Sequence, residues 1–286
     1  MKKILVPVDF STNSMNALRF ALDIALKNKQ EVVVMHTLSL LEITADTTFT
    51  GFYIPVATDQ IRFVEKELTR FVKKALAPFK DKNLEKQVKT EVVPGAGAAE
   101  VILQMTQKFK ADIVIMGTTG ASGMKRIFIG SVAAKIVEKS KVPVIVIPRS
   151  YRRKAVNKIG YASDLAHPEK ELTALQPIAQ ILGAEIEIFH VEPTFPTSKG
   201  FLTFKPEKDI PALKTKLKLK SLEYQLVKTK YDNDFYGGVY KYVRKAKPGL
   251  IAMFSHKRSW IGNMITPSKS KGLAYHAEVP VVSIKA

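Results

Sequence analysis

Cysteine is absent from the 286 residues. That excludes disulfides, a thiolate metal site and a thiol nucleophile, and it suits a reducing compartment. Long apolar runs are also missing. The opening run, Ile4 to Val8, stops at Asp9, which is short against the ~7–15-residue apolar core of a signal peptide. No stretch approaches the ~18 apolar residues of a membrane span. The expectation is a soluble, cytoplasmic protein with no membrane partner. No G-x-x-x-x-G-K-[ST] stretch occurs, which argues against a P-loop motor or transfer NTPase. Ser122 and Ser131 have no adjacent His or Asp completing a nucleophile motif. The histidines His36, His167, His190, His256 and His276 show no metal-ligand spacing. No catalytic residue and no metal site is expected.

Acidic side chains are few, 26 against 45 basic, for a net charge of +19. Residues 1–148 carry +7 and residues 149–286 carry +12. This balance favours anionic partners, nucleotides and nucleic acid among them, although a lysine-rich solvated surface accounts for most of it. The hydrophobic share, 46%, is ample for packed cores.

The sequence repeats itself. Lys3-Ile4-Leu5-Val6-Pro7-Val8-Asp9 is answered by Lys158-Ile159-Gly160-Tyr161-Ala162-Ser163-Asp164. Helical apolar spacing follows each: Met15, Leu18, Leu22, Ala25 and Leu26 in the first half, Leu172, Leu175, Ile178 and Leu182 in the second, with Gly183 a helix stop. Val32 to His36 matches Ile186 to His190, and Asp112 to Gly117 matches Gly249 to Phe254. The halves close alike on Val142-Pro143-Val144 and Val279-Pro280-Val281. Apolar strands separated by helices imply a parallel sheet covered on both faces. Each half therefore reads β-α-β-α-β-α-β-α-β, with domains over 1–148 and 156–286 and a polar, basic linker over 149–155. A long helix is expected over Gln60–Lys80, and a shorter counterpart over Lys205–Lys220. Ligands of such sheets sit beyond the carboxyl ends of the strands, so Asp9, Thr37 and Gly117 are the positions to watch.

After the strand ending at Gly117 comes a loop with Gly120, then Gly130-Ser131 and a helix over Val132–Lys139. Gly117 and Gly120 allow close backbone approach. The Ser131 hydroxyl is expected to cap the helix. The helix start favours a phosphate through its free N–H groups and its dipole, by about 0.3–1 kcal/mol per exposed charge.

Gly117, two residues, Gly120, nine residues and Gly130-Ser131 resemble the ATP-binding signature of the universal stress protein family. Val6-Pro7-Val8-Asp9, Gly95 with the helix from Ala98, and Val142-Pro143-Val144 resemble it too. The resemblance runs through nearly the whole sequence as two copies, the tandem type. It implies two tandem Rossmann-like (adenine-nucleotide alpha hydrolase-like) domains, each a five-stranded parallel sheet with helices on both faces. It implies ATP, with or without Mg2+, in the first domain. Pro7, Val8 and Asp9 would lie near ribose or base, and the Thr37 backbone would meet the adenine edge. Gly117, Gly120, Gly130 and Ser131 would surround ribose and phosphates, flanked by Met116 and Val132. It also implies pairing through the last strands, as a homo-dimer or as an intramolecular pseudo-dimer of Val142–Ile147 with Val279–Ile284, and leaves any protein partner unnamed.

In the second copy the four signature positions fall at Phe254, Lys257, Pro267 and Ser268. Phe254 would fill the space that Gly117 leaves for ligand, and Pro267 lacks an N–H. That domain is expected not to bind ATP in the same way, although Asp164 persists. Hydrolysis is expected to be slow at most, because no general base is placed beside the phosphates and Arg126 alone offers an arginine. Gly95-Ala96-Gly97-Ala98-Ala99-Glu100 imitates a dinucleotide fingerprint but has Glu100 for its third glycine, so a turn before a helix is expected. Alternating lysines over Lys214–Lys220, and Tyr231, Phe235, Tyr236, Tyr240 and Tyr242 near Lys241, Arg244 and Lys245, allow an alternative. That alternative is a non-enzymatic nucleic-acid-binding or scaffold protein using the basic second half. A solvated edge and a helix with sheet-packed aromatics are the plainer readings.

Overall fold

A computed structural model describes residues 1–39, 53–118, 130–193, 204–230, 234–255 and 279–285. The protein divides into two compact units, Met1–Arg153 and Lys154–Ala286. The first holds β1 (Lys3–Pro7), α1 (Thr12–Asn28), β2 (Glu31–Ser39), α2 (Tyr53–Leu76), β3 (Val88–Gly95), α3 (Ala98–Lys108), β4 (Ile113–Gly117), α4 (Ser131–Lys139) and β5 (Val144–Ile147). The second holds β6 (Lys158–Ala162), α5 (Pro168–Leu182), β7 (Glu185–Pro193), α6 (Pro206–Lys216), β8 (Leu222–Thr229), α7 (Phe235–Ala246), β9 (Leu250–Ser255) and β10 (Val281–Lys285).

The first sheet runs β3-β2-β1-β4-β5, and the second runs β8-β7-β6-β9-β10. Every pairing within each is parallel. Each unit is thus a Rossmann-like α/β domain with five parallel strands, as the sequence implied. In the first, α1 and α2 pack together on one face while α3 and α4 pack together on the other. Ile4, Leu5, Val6, Ile113, Val114 and Ile115 are wholly buried, because central strands of a parallel sheet are covered on both sides. The strand order reverses between β1 and β4, which opens a crevice at their carboxyl ends.

Local chemistry fixes the ends. Ser11 caps α1 through its side chain, which accepts from Ser14 N at 3.1 Å. α5 opens on Pro168 and closes on Gly183 in the left-handed region, the expected stop. The Asp112 carboxylate accepts from the backbone N–H of Lys2 at 2.6 Å and of Lys3 at 2.9 Å, tying β1 to the start of β4. Burial works to raise its pKa, but those N–H donors and nearby positive charge outweigh burial and hold it below the ordinary value.

Some bounds differ from expectation. The helix expected over Gln60–Lys80 spans Tyr53–Leu76. The one expected over Lys205–Lys220 ends at Lys216, because Lys218 adopts a left-handed φ of 51° and the backbone turns into β8. Within the basic stretch after β5, Tyr151 is buried and meets Phe20 edge-on at 5.7 Å. Arg153 forks onto Asp23 at 2.6–3.0 Å and lies 4.1 Å above the Phe79 ring.

In the second unit Tyr242 of α7 stacks on Phe189 of β7 at 3.9 Å and 8°. Its hydroxyl donates to Glu187 Oε2 at 2.6 Å, deep in the core. Burial and that carboxylate push the Tyr242 phenol up. Glu187 also meets Lys158 at 3.3 Å. Gly160 makes room for the ring, since a Cβ there would lie 2.3 Å from it.

Candidate functional site

β1, β2 and β4 deliver most of the expected residues to one end of the first sheet. Pro7 and Val8 are buried and Asp9 is half-buried. Asp9 Oδ1 accepts from Ser11 N at 3.1 Å and from Ser11 Oγ at 2.6 Å, so the carboxylate is held at the turn between β1 and α1. Val8 N donates to Met35 O at 2.8 Å, which keeps that turn beside the end of β2. Thr37 is half-buried there, in register with Val93. His36 Nδ1 lies 2.8 Å from Val8 O, and His190 Nδ1 sits at the same distance from Ser163 O. Both imidazoles brace the first strand of their unit.

Met116 is buried near the end of β4, and Gly117 is its last residue. Thr118 follows, buried, donating its N–H to Ile147 O at 3.0 Å. Its carbonyl accepts from Gly130 N at 2.5 Å. The start of α4 is therefore tied to the end of β4, beside the crevice. Gly120 lies outside the described residues.

α4 begins at Ser131, with Gly130 as N-cap at φ −62° and ψ 157°. This corrects the expected cap: Ser131 is the first helical residue and is exposed, and Gly130 has no side chain with which to cap. No acidic residue stands in the first turn of α4. Ala134 N already bonds Gly130 O at 2.9 Å, whereas the N–H groups of Ser131, Val132 and Ala133 precede any intrahelical partner. Val132 is half-buried behind them. Such a donor set suits an anion. Farther along α4, Lys135 pairs with Glu100 of α3, and that bond first of all holds the exposed Glu100 below the carboxylate range.

Gly117 makes room for a segment distant in sequence. A Cβ there would meet Asn13 Cγ and Nδ2 at 2.8 Å and the Asn13 carbonyl carbon at 3.2 Å. The glycine admits the first turn of α1. Asn13, 3% exposed, donates from Nδ2 to Thr118 Oγ1 at 3.2 Å, joining α1 to the strand end.

Sequence reasoning missed Phe10, Asn13 and Thr118. Phe10 takes a left-handed φ of 61°, a strained conformation for a bulky residue. It stacks on His36 at 4.4 Å and meets Phe71 edge-on at 5.6 Å. Leu165 repeats the conformation with φ 65°. The one available signal was position, immediately after the strand-ending aspartate in both halves.

The second unit's counterpart of this end differs. Phe254 is buried and meets Tyr161 edge-on at 5.5 Å. Lys257, Pro267 and Ser268 lie outside the described residues, as do His256, His276 and Tyr231. Among the described residues, no helix is long and apolar enough to cross a membrane, and no His, Cys, Asp and Glu group could hold a metal.

Comparison with known proteins gives consistent results. The Universal stress protein family matches residues 1–148. Universal stress protein MJ0531 of Methanocaldococcus jannaschii is 32% identical over 150 residues, which are 52% of this sequence and 82% of that protein. Universal stress protein YxiE of Bacillus subtilis is 30% identical over 148 residues, 51% of this sequence and 97% of that protein. The crystal structure of a universal stress protein from Archaeoglobus fulgidus DSM 4304 aligns with a TM-score of 0.64 at 21% identity, covering 99% of this protein and 96% of that one.

Proposed function

Since the chain belongs to the universal stress protein family, we propose that it is a tandem member whose first unit holds ATP and whose second unit is a degenerate partner. The observation that carries this reading is the start of α4. Among the described residues no side chain caps its first-turn N–H groups, and Gly130 N is fastened to the end of β4 beside the crevice. Phosphates would sit on those N–H groups, where helix dipole and donors act together. Pro7, Val8, Asp9 and Thr37 would face the nucleoside, with Met116, Gly117, Gly120, Gly130, Ser131 and Val132 around the ribose and phosphates. Mg2+ would accompany the phosphates when present. The role is binding, with nucleotide occupancy setting the conformation of the first unit for a stress response, and not turnover.

The second unit supports the asymmetry. Buried Phe254 stands where the first unit has Gly117, and a side chain of that size leaves no equivalent approach for the first turn of the neighbouring helix.

Ser131→Asp separates binding from folding. A carboxylate in the first turn stabilises a helix by about 0.3–1 kcal/mol, but it repels phosphate from the same N–H groups. Titration calorimetry should show ATP affinity falling about tenfold or more, while the melting temperature holds or rises. Unchanged ATP affinity would remove the site from the start of α4.

A further inference from the structure

The second unit has a cavity of about 260 Å³ at the carboxyl ends of β6, β7 and β9. Ser163, Asp164, Glu171, His190, Phe235 and Phe254 are among the residues that line it. The pairing registers show what these residues replace. Lys3 pairs with Glu31 and Lys158 with Glu185, while Ile4 pairs with Ile113 and Ile159 with Leu250. On that register Tyr161 stands where the first unit has Val6, Ser163 where it has Val8, and Phe254 where it has Gly117. The helices end alike, with Gln30 N on Ala25 O and Ala184 N on Ala179 O. Glu171 therefore takes the place of Ala17.

Apolar positions of the first unit have thus become a hydrogen-bonded relay in the second. Leu165 N donates to Ser163 Oγ at 3.0 Å, Ser163 Oγ donates to the Tyr161 hydroxyl at 2.9 Å, and that hydroxyl donates to the Glu171 carboxylate. Glu171 is 2% exposed. His190 Nδ1 lies 2.8 Å from Ser163 O, which holds its ring against the lining. Asp164, exposed, adds a second carboxylate and accepts from Ala166 N at 2.9 Å. Among the described residues the charged side chains of this lining, Asp164 and Glu171, are both acidic, and its aromatic walls favour positive charge. The corresponding end of the first unit presents the N–H donors of α4, whose counterpart in the second unit lies outside the described residues.

We propose that this cavity binds a small organic cation, a primary ammonium on a short aromatic or apolar body. The ammonium meets Glu171 and Asp164, and the body lies against Phe235 and Phe254. Phosphate is repelled by the same carboxylates. The cavity belongs to the second unit alone, and its occupancy does not rest on ATP binding by the first.

Calorimetric titration of the full-length protein with phenethylammonium tests it, with phenylacetate and phenethyl alcohol as the anionic and neutral analogues of similar shape. The amine should bind saturably and about tenfold or more tighter than either analogue, because charge-assisted bonds are roughly twice as strong as neutral ones. Glu171→Gln should weaken it about tenfold, and Asp164→Asn, at an exposed site that leaves the core untouched, severalfold. Circular dichroism melting checks the folding of both variants, and Asp164→Asn decides should Glu171→Gln unfold. No saturable binding of the amine at millimolar concentration, equal binding of the analogues, wild-type affinity in the folded variants, or displacement of the amine by ATP would overturn the proposal.

Discussion

Replacing Gly117 with alanine tests the geometry of the site through a partner distant in sequence. The new Cβ would lie 2.8 Å from Asn13 Cγ and Nδ2, and 3.2 Å from the Asn13 carbonyl carbon. The first distance is too short for any real contact, so the side chain or the start of α1 must move. Overpacking of this kind costs about 1–3 kcal/mol, and about 2 kcal/mol is expected here. Asn13→Ala alone loses the 3.2 Å bond to Thr118 Oγ1, worth about 1 kcal/mol. Asn13→Ala also deletes both atoms that the new methyl strikes and leaves only the backbone contact. The double variant should therefore be more stable than the sum of the singles predicts, by about 1–1.5 kcal/mol. Urea unfolding of the four proteins, followed by circular dichroism, measures this coupling. Additivity within about 0.5 kcal/mol would refute the close approach of α1 to β4. The same geometry implies that a bulkier Gly117→Val weakens nucleotide retention by displacing the first turn of α1, so loss of binding should come with loss of stability.

Two further expectations concern the framework. Asp112→Asn should cost about 1–2 kcal/mol at neutral pH by weakening the bonds from Lys2 and Lys3. The folded pKa of Asp112 is depressed, so its contribution is full above the unfolded value of about 3.9 and fades as pH falls through the lower folded value. The variant should therefore lose less stability than wild type across that acid range, as unfolding midpoints against pH would reveal. Gly160→Ala should destabilise the second unit by about 1–3 kcal/mol, because the ring it would strike is pinned between Gly160 and Phe189 and tethered to Glu187. A melting temperature unchanged by Gly160→Ala would contradict that packing.

The sequence made the central strands legible because a covered parallel sheet demands unbroken apolar runs. Ile4–Val6, Val32–Met35 and Ile113–Met116 are such runs, and all are buried. The edge strands β3 and β8 gave no comparable signal. Lys89 and Thr90 are exposed in β3, and Glu223 and Lys228 in β8, since an edge strand is only partly covered. The positions at the strand ends followed from the same logic. What was illegible came from contacts between distant segments and from backbone conformation. Nothing near Gly117 in sequence indicates that Asn13 presses on it. Apart from its position after Asp9, nothing marks Phe10 as left-handed, and β-branched or bulky residues at such positions run against local preference. Tyr151 lies in a stretch whose basic character suggests a solvated linker, yet its ring is buried beside Phe20. The cap of α4 moved by one residue because Gly130, bonded to Thr118 O, has the extended conformation that ends a loop.

The central claim is one nucleotide per protein molecule, held by the first unit alone. Purified protein denatured and analysed by mass spectrometry for released nucleotide, with the polypeptide quantified in the same sample, measures this directly. The prediction is an adenine nucleotide at close to one equivalent per polypeptide, falling toward zero in Ser131→Asp. Two equivalents, or full occupancy retained by Ser131→Asp, would contradict it.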